Sequence, residues 1–176
     1  MKSKGYKSRS TALSVKIIKI KLVLTDCDGV LTDAGVFYSA RGEEMKRFSI
    51  RDGMGVERLR NLVKIGTGIV TGEISGSLKK RAEKLKIQEL HLGIKNKVLV
   101  LNEILKKKNL KAENIAFIGD DVNDLEIMKL VGLTACPSDA IDEVKNISDY
   151  ICTSRGGYGA FREFAELIIK GNLRRK

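Results

Sequence analysis

Two aspartates directly after an apolar segment could together hold a metal ion and a phosphate group. Asp26 and Asp28 flank Cys27, follow the largely apolar run over 17–24 and precede Gly29. Residues two apart in a strand point to the same side, so both carboxylates are predicted to face one site. A glycine here allows the backbone to turn and to approach a ligand closely. The pair therefore indicates chemistry on a phosphorylated compound beside a metal ion.

Three further polar groups could take part in this chemistry, and each follows a predicted strand. They are Thr71 with Gly72, then Lys97, and then the segment 119–124 with Asp120, Asp121 and Asp124. One carboxylate can attack phosphorus while a second transfers protons. A hydroxyl and a lysine can bind the phosphoryl oxygens, and further carboxylates can hold Mg²⁺. Taken singly, each group could equally be a helix cap, a turn or a strand end.

The elements that must position these groups alternate between apolar runs and amphipathic stretches. Strands are predicted near 17–25, 66–71, 88–92, 115–119, 133–136 and 149–152. Helices are predicted near 53–64, 74–86, 95–108, 122–131, 138–146 and 158–170. This order predicts an α/β fold, a doubly wound parallel sheet with helices on both faces. The polar groups then lie at the carboxyl ends of the strands, where ligands bind in open parallel sheets.

One segment interrupts the alternation, and one terminal segment stands apart from it. Residues 36–40 and 45–49 flank a polar turn at 41–44, which predicts a β-hairpin over about 36–49. Residues 1–15 are basic, lack the apolar stretch of a secretory signal and are predicted to form a flexible tail. No linker or repeat follows, so 16–176 is predicted to be a single domain.

Composition favours a small anionic substrate over nucleic acid or a membrane. The chain has 33 basic and 22 acidic residues, a net charge of +11 that suits either kind of anion. However, the basic clusters at 79–81 and 106–108 lie on predicted amphipathic helices, and no aromatic residues interleave with them. No apolar run approaches the length of a membrane span.

The cysteines point to a reducing compartment. Cys27, Cys136 and Cys152 are odd in number and form no CxxC pair, which favours reduced thiols in a cytoplasmic protein. Cys27 is predicted to face the core, opposite to the two aspartates beside it. It is therefore interpreted as a packing residue and not as a nucleophile.

The ordered motifs that begin at Asp26, Thr71, Lys97 and 119–124 resemble the four motifs of haloacid dehalogenase-like hydrolases. The resemblance covers about residues 18–170 and implies a Rossmann-like fold. It makes Asp26 the nucleophile, and it makes Thr71 and Lys97 the residues that bind the phosphoryl group.

The same resemblance assigns the remaining carboxylates. Asp28 would be the general acid and base, and Mg²⁺ would be held by Asp26, the backbone carbonyl of Asp28 and Asp120. Asp121 and Asp124 would lie beside the metal ligands. Related P-type ATPases carry threonine at the position of Asp28, so an aspartate there implies rapid hydrolysis and a phosphatase.

Two short spacings imply that the site has no cap domain. Asp28 and Thr71 are 43 residues apart, and Thr71 and Lys97 are 26 apart, which leaves room only for the hairpin, helices and a strand. A capless site would be open. Either its substrate is a macromolecule or another subunit closes it.

A narrower resemblance favours closure by a subunit. The hairpin and the segments 48–53, 93–97 and 155–163 resemble the 3-deoxy-octulosonate 8-phosphate phosphatase group, which includes phosphatases of nonulosonate (sialic-acid-like) 9-phosphates. This implies hydrolysis of the terminal phosphate of a 2-keto-3-deoxy sugar acid, used in cell-surface sugar biosynthesis. It also implies a homotetramer in which a neighbour helps to cover each site.

The resemblance also suggests residues that bind the sugar acid. Arg51 and Arg155 are candidates for its carboxylate, because a guanidinium matches a carboxylate fork; surface or interface salt bridges are the alternative. Gly72, Glu73 and Lys84 are further candidates. Octulosonate members usually carry arginine where this chain has Glu73, whereas nonulosonate members tend to carry glutamate there and lysine at the position of Lys84. This difference favours a nine-carbon substrate.

Three points remain open at this stage. Glu73 and Lys84 are spaced for opposite ends of one helix, so a ligand that they share would require a neighbouring subunit. An inactive tetramerisation domain, like the C-terminal domain of some acylneuraminate cytidylyltransferases, is an alternative to the enzyme. A nucleic-acid end phosphatase is another.

Overall fold

Six parallel strands form the centre of the computed structural model, which describes residues 12–174. In chain order the strands are β1 (Leu22–Thr25), β2 (Phe37–Ser39), β3 (Gly42–Met45), β4 (Gly66–Val70), β5 (Glu89–His91), β6 (Ile115–Ile118), β7 (Leu133–Cys136) and β8 (Tyr150–Ile151). The sheet order is β5-β4-β1-β6-β7-β8, and every neighbouring pair is parallel. The chain therefore winds outward from β1 in both directions, which confirms the predicted doubly wound α/β fold.

Helices cover both faces of this sheet. They are α1 (12–17), α2 (Ile50–Val63), α3 (Gly76–Leu85), α4 (Lys97–Lys108), α5 (Leu125–Met128), α6 (Asp142–Ile147) and α7 (Ala160–Leu173). Side-chain oxygens of Ser49, Ser75 and Asn96 accept backbone N–H groups at the starts of α2, α3 and α4, which fixes where these helices begin. Within residues 12–174, no helix is both long and apolar enough to cross a membrane.

The strands contribute to two apolar cores, one on each face of the sheet. Val23, Ala116 and Ile118 belong to the core that contains residues of α2, α3 and α7. Leu24 and Phe117 belong to the core that contains residues of α4, α5 and α6. Because successive residues of β1 and β6 enter opposite cores, these two central strands are largely apolar.

Three element predictions need correction. The strand predicted over 17–25 begins only at residue 22, because Leu13 and Ile17 lie one turn apart on α1 and pack against the core. α1 therefore includes residues 12–15 of the predicted tail, while residues 1–11 lie outside the described residues. The helix predicted over 122–131 is a 3₁₀ turn, Val122–Asp124, followed by the short α5. The division into a tail and a single domain stays a prediction.

The hairpin is present, but its turn is tighter than predicted. β2 and β3 form a separate antiparallel sheet, and only Ala40 and Arg41 connect them. The predicted turn at 41–44 is wrong because Gly42, with a φ of +104°, allows the chain to re-enter a strand at once. Phe37, Tyr38 and Met45 leave more than half of their surface exposed.

Candidate active site

The polar groups of the sequence analysis follow four adjacent strands at one edge of the sheet. Asp26 follows β1, Thr71 follows β4, Lys97 begins the helix after β5, and Asp120 follows β6 after one glycine. The chain reverses its winding direction between β1 and β6, and such a switch point opens a crevice at the carboxyl ends of the strands. The fold therefore brings together residues that are up to 94 positions apart in the chain.

Lys97 joins two buried carboxylates. Its Nζ lies 2.6 Å from Asp26 Oδ1 and 2.6 Å from Asp124 Oδ1, and all three side chains are at most 6% exposed. Burial by itself would lower the pKa of Lys97, but the charges of Asp26 and Asp124 outweigh burial and raise it. Lys97 is therefore a fixed cation beside Asp26.

Asp120 adds a third carboxylate that is not neutralised. Its backbone N–H donates to Asp124 Oδ2 at 3.0 Å, whereas its own Oδ1 is buried without a hydrogen-bond partner among the described residues. Burial, together with the charges of Asp26 and Asp124, raises the pKa of Asp120 to about 8. Burial also raises the pKa of Asp26 to about 6, against the opposing effect of Lys97. One ammonium thus faces three carboxyl groups, and the raised pKa values mean that full ionisation of all three is unfavourable without a further positive charge.

We call Asp26, Asp120 and Asp124 the carboxylate cluster, and its geometry fits a divalent cation. One oxygen from each residue lies within 4.8 Å of the others. Hard cations such as Mg²⁺ prefer carboxylate oxygens, and a cation here would partner the orphaned Asp120 oxygen and offset the excess negative charge. Asp121 is exposed and accepts the N–H of Val122, so it caps the 3₁₀ turn and lies outside the cluster.

Gly29 is what allows the first and last motifs to approach each other. Its φ is +87°, and a Cβ at this position would overlap Asp120 Oδ2. Any side chain at this position would occupy the space of the Asp120 carboxylate. The glycine after the paired aspartates therefore has a steric role in the site.

Asp28 has a different partner, which the sequence analysis missed. Lys46 Nζ lies 2.8 and 2.7 Å from the two oxygens of Asp28, and Thr32 Oγ1 donates to Oδ1 at 3.2 Å. Lys46 directly follows β3; burial lowers its pKa, but the hydrogen bond to Asp28 and the charge of Asp28 raise it above its ordinary value. We call Asp28 and Lys46 the acid–base pair. Met45 is exposed and Lys46 is buried, so the hydrophobic pattern of the hairpin gave no signal for this contact.

Cys27, between the two aspartates, faces the core as predicted. It is fully buried among apolar residues, and burial raises the pKa of its thiol. The thiol is therefore protonated and poorly suited to be a nucleophile.

Thr71 connects the loops after β4 and β5. Its N–H donates to the carbonyl of His91, its carbonyl accepts from Ile94, and its buried hydroxyl accepts the N–H of Glu73 at 3.3 Å. Gly72 and Glu73 are exposed directly beside it.

Lys84 lies away from this edge. It is exposed in the last turn of α3, whereas Glu73 precedes the first turn of the same helix. A helix of this length spans about 15 Å. Within one chain the structure therefore does not bring Lys84 and Glu73 together.

The two arginines differ in their surroundings. Arg155 is exposed, and its Nε donates to Asp139 Oδ2 at 3.1 Å, which is the surface salt bridge considered as the alternative. The neighbouring Gly157 donates its N–H to the carbonyl of Val30, so this segment lies against the loop of Asp28. Arg51 is exposed in the first turn of α2 and has no ion pair among residues 12–174.

Known proteins share this arrangement of sequence and fold. The haloacid dehalogenase-like hydrolase family matches residues 78–160. The 3-deoxy-D-manno-octulosonate 8-phosphate phosphatase of Haemophilus influenzae is 37% identical over 155 residues, which are 88% of this chain and 86% of that protein.

Two solved structures show the same fold with relevant ligands. The phosphatase of that name from Moraxella catarrhalis, in complex with magnesium, phosphate and KDO, has a TM-score of 0.88 and 34% identity, and covers 92% of both chains. A cobalt-bound form of the Haemophilus influenzae enzyme has a TM-score of 0.86 and 37% identity, and covers 89% of this chain and 91% of that one. This chain therefore belongs to the haloacid dehalogenase-like hydrolases, in the group of the 3-deoxy-D-manno-octulosonate 8-phosphate phosphatases.

Proposed function

We propose that this phosphomonoesterase removes the terminal phosphate of a 2-keto-3-deoxy sugar acid, with Mg²⁺ as its cofactor. The observation that carries the proposal is the buried carboxylate cluster with Lys97 at the switch point of the sheet. Its unbalanced negative charge and orphaned oxygen suit a cation, and the cation together with Lys97 suits a phosphate. The named substrate of the relatives, 3-deoxy-D-manno-octulosonate 8-phosphate, belongs to the same class.

The first step transfers the phosphoryl group to the enzyme. A carboxylate oxygen of Asp26 attacks phosphorus, and the bond between phosphorus and the sugar oxygen breaks. Protonated Asp28 donates its proton to that oxygen, so the sugar acid leaves as an alcohol. Lys97 and Thr71 hold the phosphoryl oxygens, and the product on the enzyme is an aspartyl-phosphate.

The second step releases phosphate. Asp28, now a carboxylate, takes a proton from water while the water oxygen attacks phosphorus and the bond to Asp26 breaks. Phosphate leaves, Asp26 is again a carboxylate, and Asp28 is again protonated. Asp26, Asp120 and the Asp28 carbonyl would hold Mg²⁺, with Asp124 beside them, and the bound ion would supply positive charge against the negative charge on the phosphoryl oxygens.

The chain length of the substrate depends on residues outside the cluster. The eight-carbon acid is the first candidate, because the relatives are named for it. The nine-carbon acid is the second candidate, because the resemblance implies glutamate at the position of Glu73 in nonulosonate members. The side chain of Glu73 is exposed, and its backbone N–H donates to the hydroxyl of Thr71. Arg51, with no ion pair among residues 12–174, is available for the carboxylate of either acid.

We also infer that a neighbouring subunit covers the site in a homotetramer. The segment between β1 and α2 contains only the hairpin and its connections, so nothing in it forms a cap. Phe37, Tyr38 and Met45 each leave more than half of their surface exposed, and together they offer an apolar contact surface.

The cysteines support a cytoplasmic setting, because Cys27, Cys136 and Cys152 are free and buried.

The test is a comparison of phosphate release from the eight-carbon and nine-carbon acid phosphates, with Mg²⁺ and with EDTA. We expect Mg²⁺-dependent release from at least one acid and little release from a 5′-phosphorylated oligonucleotide. Release from neither acid would refute the substrate class. Activity on the oligonucleotide that falls steeply with salt would favour a nucleic-acid end phosphatase.

A further inference from the structure

We propose that Lys46 is a positioning residue for Asp28, so that the base of the hairpin sets the geometry of proton transfer. The proposal rests on the proposed function, in which Asp28 donates a proton to the leaving sugar oxygen. It assigns a catalytic purpose to a hairpin residue that lies outside the four motifs.

Lys46 is held in an unusual place for a lysine. Its side chain is 0% exposed, and its ammonium lies 2.7 and 2.8 Å from the two oxygens of Asp28. Lysine is rarely fully buried unless it is paired, because an unpaired ammonium loses its hydration. Contact with both oxygens of one carboxylate restricts how that carboxylate can rotate, and Thr32 restricts it further.

The same lysine connects the two loops on which the proposed reaction depends. Lys46 also lies 3.5 Å from Glu43 on β3, and Glu43 in turn accepts a hydrogen bond from the hydroxyl of Ser75. Ser75 caps α3 and ends the loop that begins at Thr71. Glu43 and Lys46 thus bridge the loop of Asp28 and the phosphate-binding loop from the inner side of the hairpin.

The next residue supplies a matched control. Arg47 also anchors the hairpin, but it contacts Asp33, the carbonyl of Gly157 and the ring of Tyr158, and not Asp28. Loss of Arg47 removes an anchor of the hairpin and leaves the acid–base pair in place. The two residues therefore separate positioning of Asp28 from attachment of the hairpin.

The nature of the leaving group gives a readout that a purely structural role would not move. A sugar alkoxide is a poor leaving group and needs a proton from Asp28, whereas p-nitrophenolate leaves with little help from an acid. A misplaced Asp28 should therefore slow the first step far more for the sugar acid phosphate than for p-nitrophenyl phosphate, whereas hydrolysis of the shared aspartyl-phosphate is slowed alike for both. A general loss of structure should slow both substrates alike.

The experiment measures kcat and KM of K46M, K46R, R47M, D28N and the K46M/D28N double variant on both substrates. For K46M we expect kcat/KM, which reports the first step, to fall by about 100-fold on the sugar acid phosphate and by less than about threefold on p-nitrophenyl phosphate. K46R should recover part of the loss, and R47M should leave the ratio of the two substrates unchanged. In the D28N background, K46M should lower kcat/KM on the sugar acid phosphate little further, because both substitutions affect the same proton transfer.

An equal fall of kcat/KM on both substrates, or none, would overturn the proposal. If K46M does not fold by circular dichroism, K46Q takes its place, because glutamine keeps a hydrogen-bond donor without the charge. If wild-type protein hydrolyses p-nitrophenyl phosphate but neither sugar acid phosphate, the substrate class is wrong; glycerol 3-phosphate then serves as the alkyl substrate. An unchanged ratio with glycerol 3-phosphate would overturn the role of Lys46 separately.

Discussion

The carboxylate cluster and the acid–base pair begin two residues apart in the chain, at Asp26 and Asp28, but they differ in charge balance. In the cluster, one ammonium from Lys97 faces three carboxylates, and one buried oxygen has no partner among the described residues. In the pair, one ammonium from Lys46 contacts both oxygens of Asp28 and also lies 3.5 Å from Glu43. The cluster therefore depends on a ligand for its charge balance and for its orphaned oxygen, whereas both Asp28 oxygens have a partner within the chain.

The two regions also differ in how they are built. The cluster is formed by the ends of buried central strands, which the packed core holds in place. The pair depends on a hairpin whose outer residues are exposed and whose inner side bridges two loops. We therefore expect changes in the cluster to alter metal binding and the chemical steps, and changes at the pair to alter proton transfer selectively.

Replacement of the nucleophile is expected to have the largest effect. Asp26→Asn keeps the size of the side chain but removes the attacking oxygen charge, so kcat should fall by about 10⁴-fold or more on sugar acid phosphate and p-nitrophenyl phosphate alike. Single-turnover and steady-state phosphate release measure the loss. Residual activity within tenfold of wild type would show that Asp26 is not the nucleophile.

Asp120→Asn should change stability and Mg²⁺ binding in opposite directions. In EDTA, Asp120→Asn should raise the thermal midpoint by about 2–4 °C, because it removes the half-buried Asp120 carboxyl group, whose ionisation is unfavourable beside two other carboxylates. It should also weaken Mg²⁺ binding by more than about 100-fold. Melting curves with and without Mg²⁺ measure both effects.

Asp121→Asn is the matched control for Asp120→Asn. Asp121 is adjacent in sequence, exposed and outside the cluster, and asparagine can still cap the 3₁₀ turn. We expect Asp121→Asn to change neither the thermal midpoint nor the affinity for Mg²⁺ by much. A metal-free D120N protein that melts below wild type would contradict the charge imbalance on which the comparison depends.

Substitution of Gly29 tests whether the close approach of its loop to Asp120 requires a glycine. In Gly29→Ala the new methyl would overlap the Asp120 carboxylate, and the left-handed backbone would be strained. The free energy of unfolding should therefore be about 2–3 kcal/mol lower than in wild type. Gly42→Ala is the control, since its φ is also positive but, apart from its chain neighbours, no atom of residues 12–174 lies within 4 Å of the added Cβ. Gly42→Ala should lower the free energy of unfolding by about 1 kcal/mol. Equal losses in denaturant unfolding would remove the steric argument.

The cluster could be anticipated from sequence in a way that the pair could not. Asp26, Thr71 and Asp120 follow continuous apolar runs, and parallel strands bring such ends to one edge whatever the details of the loops. Lys46 reaches Asp28 only through the path of the hairpin, and the turn was predicted at 41–44, where β3 already runs. Short polar strands carry too little periodicity to fix their register.

The partners of exposed side chains were also beyond sequence reasoning. Arg155 looked equally suited to a substrate carboxylate or to a salt bridge, and only tertiary structure places Asp139 beside it. The pairing of Lys97 with Asp124 likewise depends on the 3₁₀ turn that replaces the start of the predicted helix. Such choices are decided by loop conformation, which local propensity specifies weakly.

The smallest expected effect concerns Glu163, which holds the segment before Arg155 and so supports the loop of Asp28. Glu163 accepts hydrogen bonds from Tyr150, Thr153 and Ser154, and so holds the strand end before Arg155. Burial raises the pKa of Glu163, but these hydrogen bonds outweigh burial and lower it to about 2. An unfolded glutamate has a pKa of about 4.3, so the unfolded chain binds this proton first as the pH falls.

The stabilisation by Glu163 should therefore be fully present above about pH 4.5 and should be lost as the pH falls toward 2. Glu163→Gln should be less stable than wild type by about 1 kcal/mol at neutral pH, and the difference should shrink in acid. Urea unfolding of both proteins at several pH values measures this difference directly. A gap that stays constant down to pH 2 would assign the loss to packing instead of ionised hydrogen bonds. If the gap closes as expected while the ratio of kcat/KM on the two phosphate substrates stays at its wild-type value, the support of the loop by Glu163 is separable from the positioning of Asp28 by Lys46.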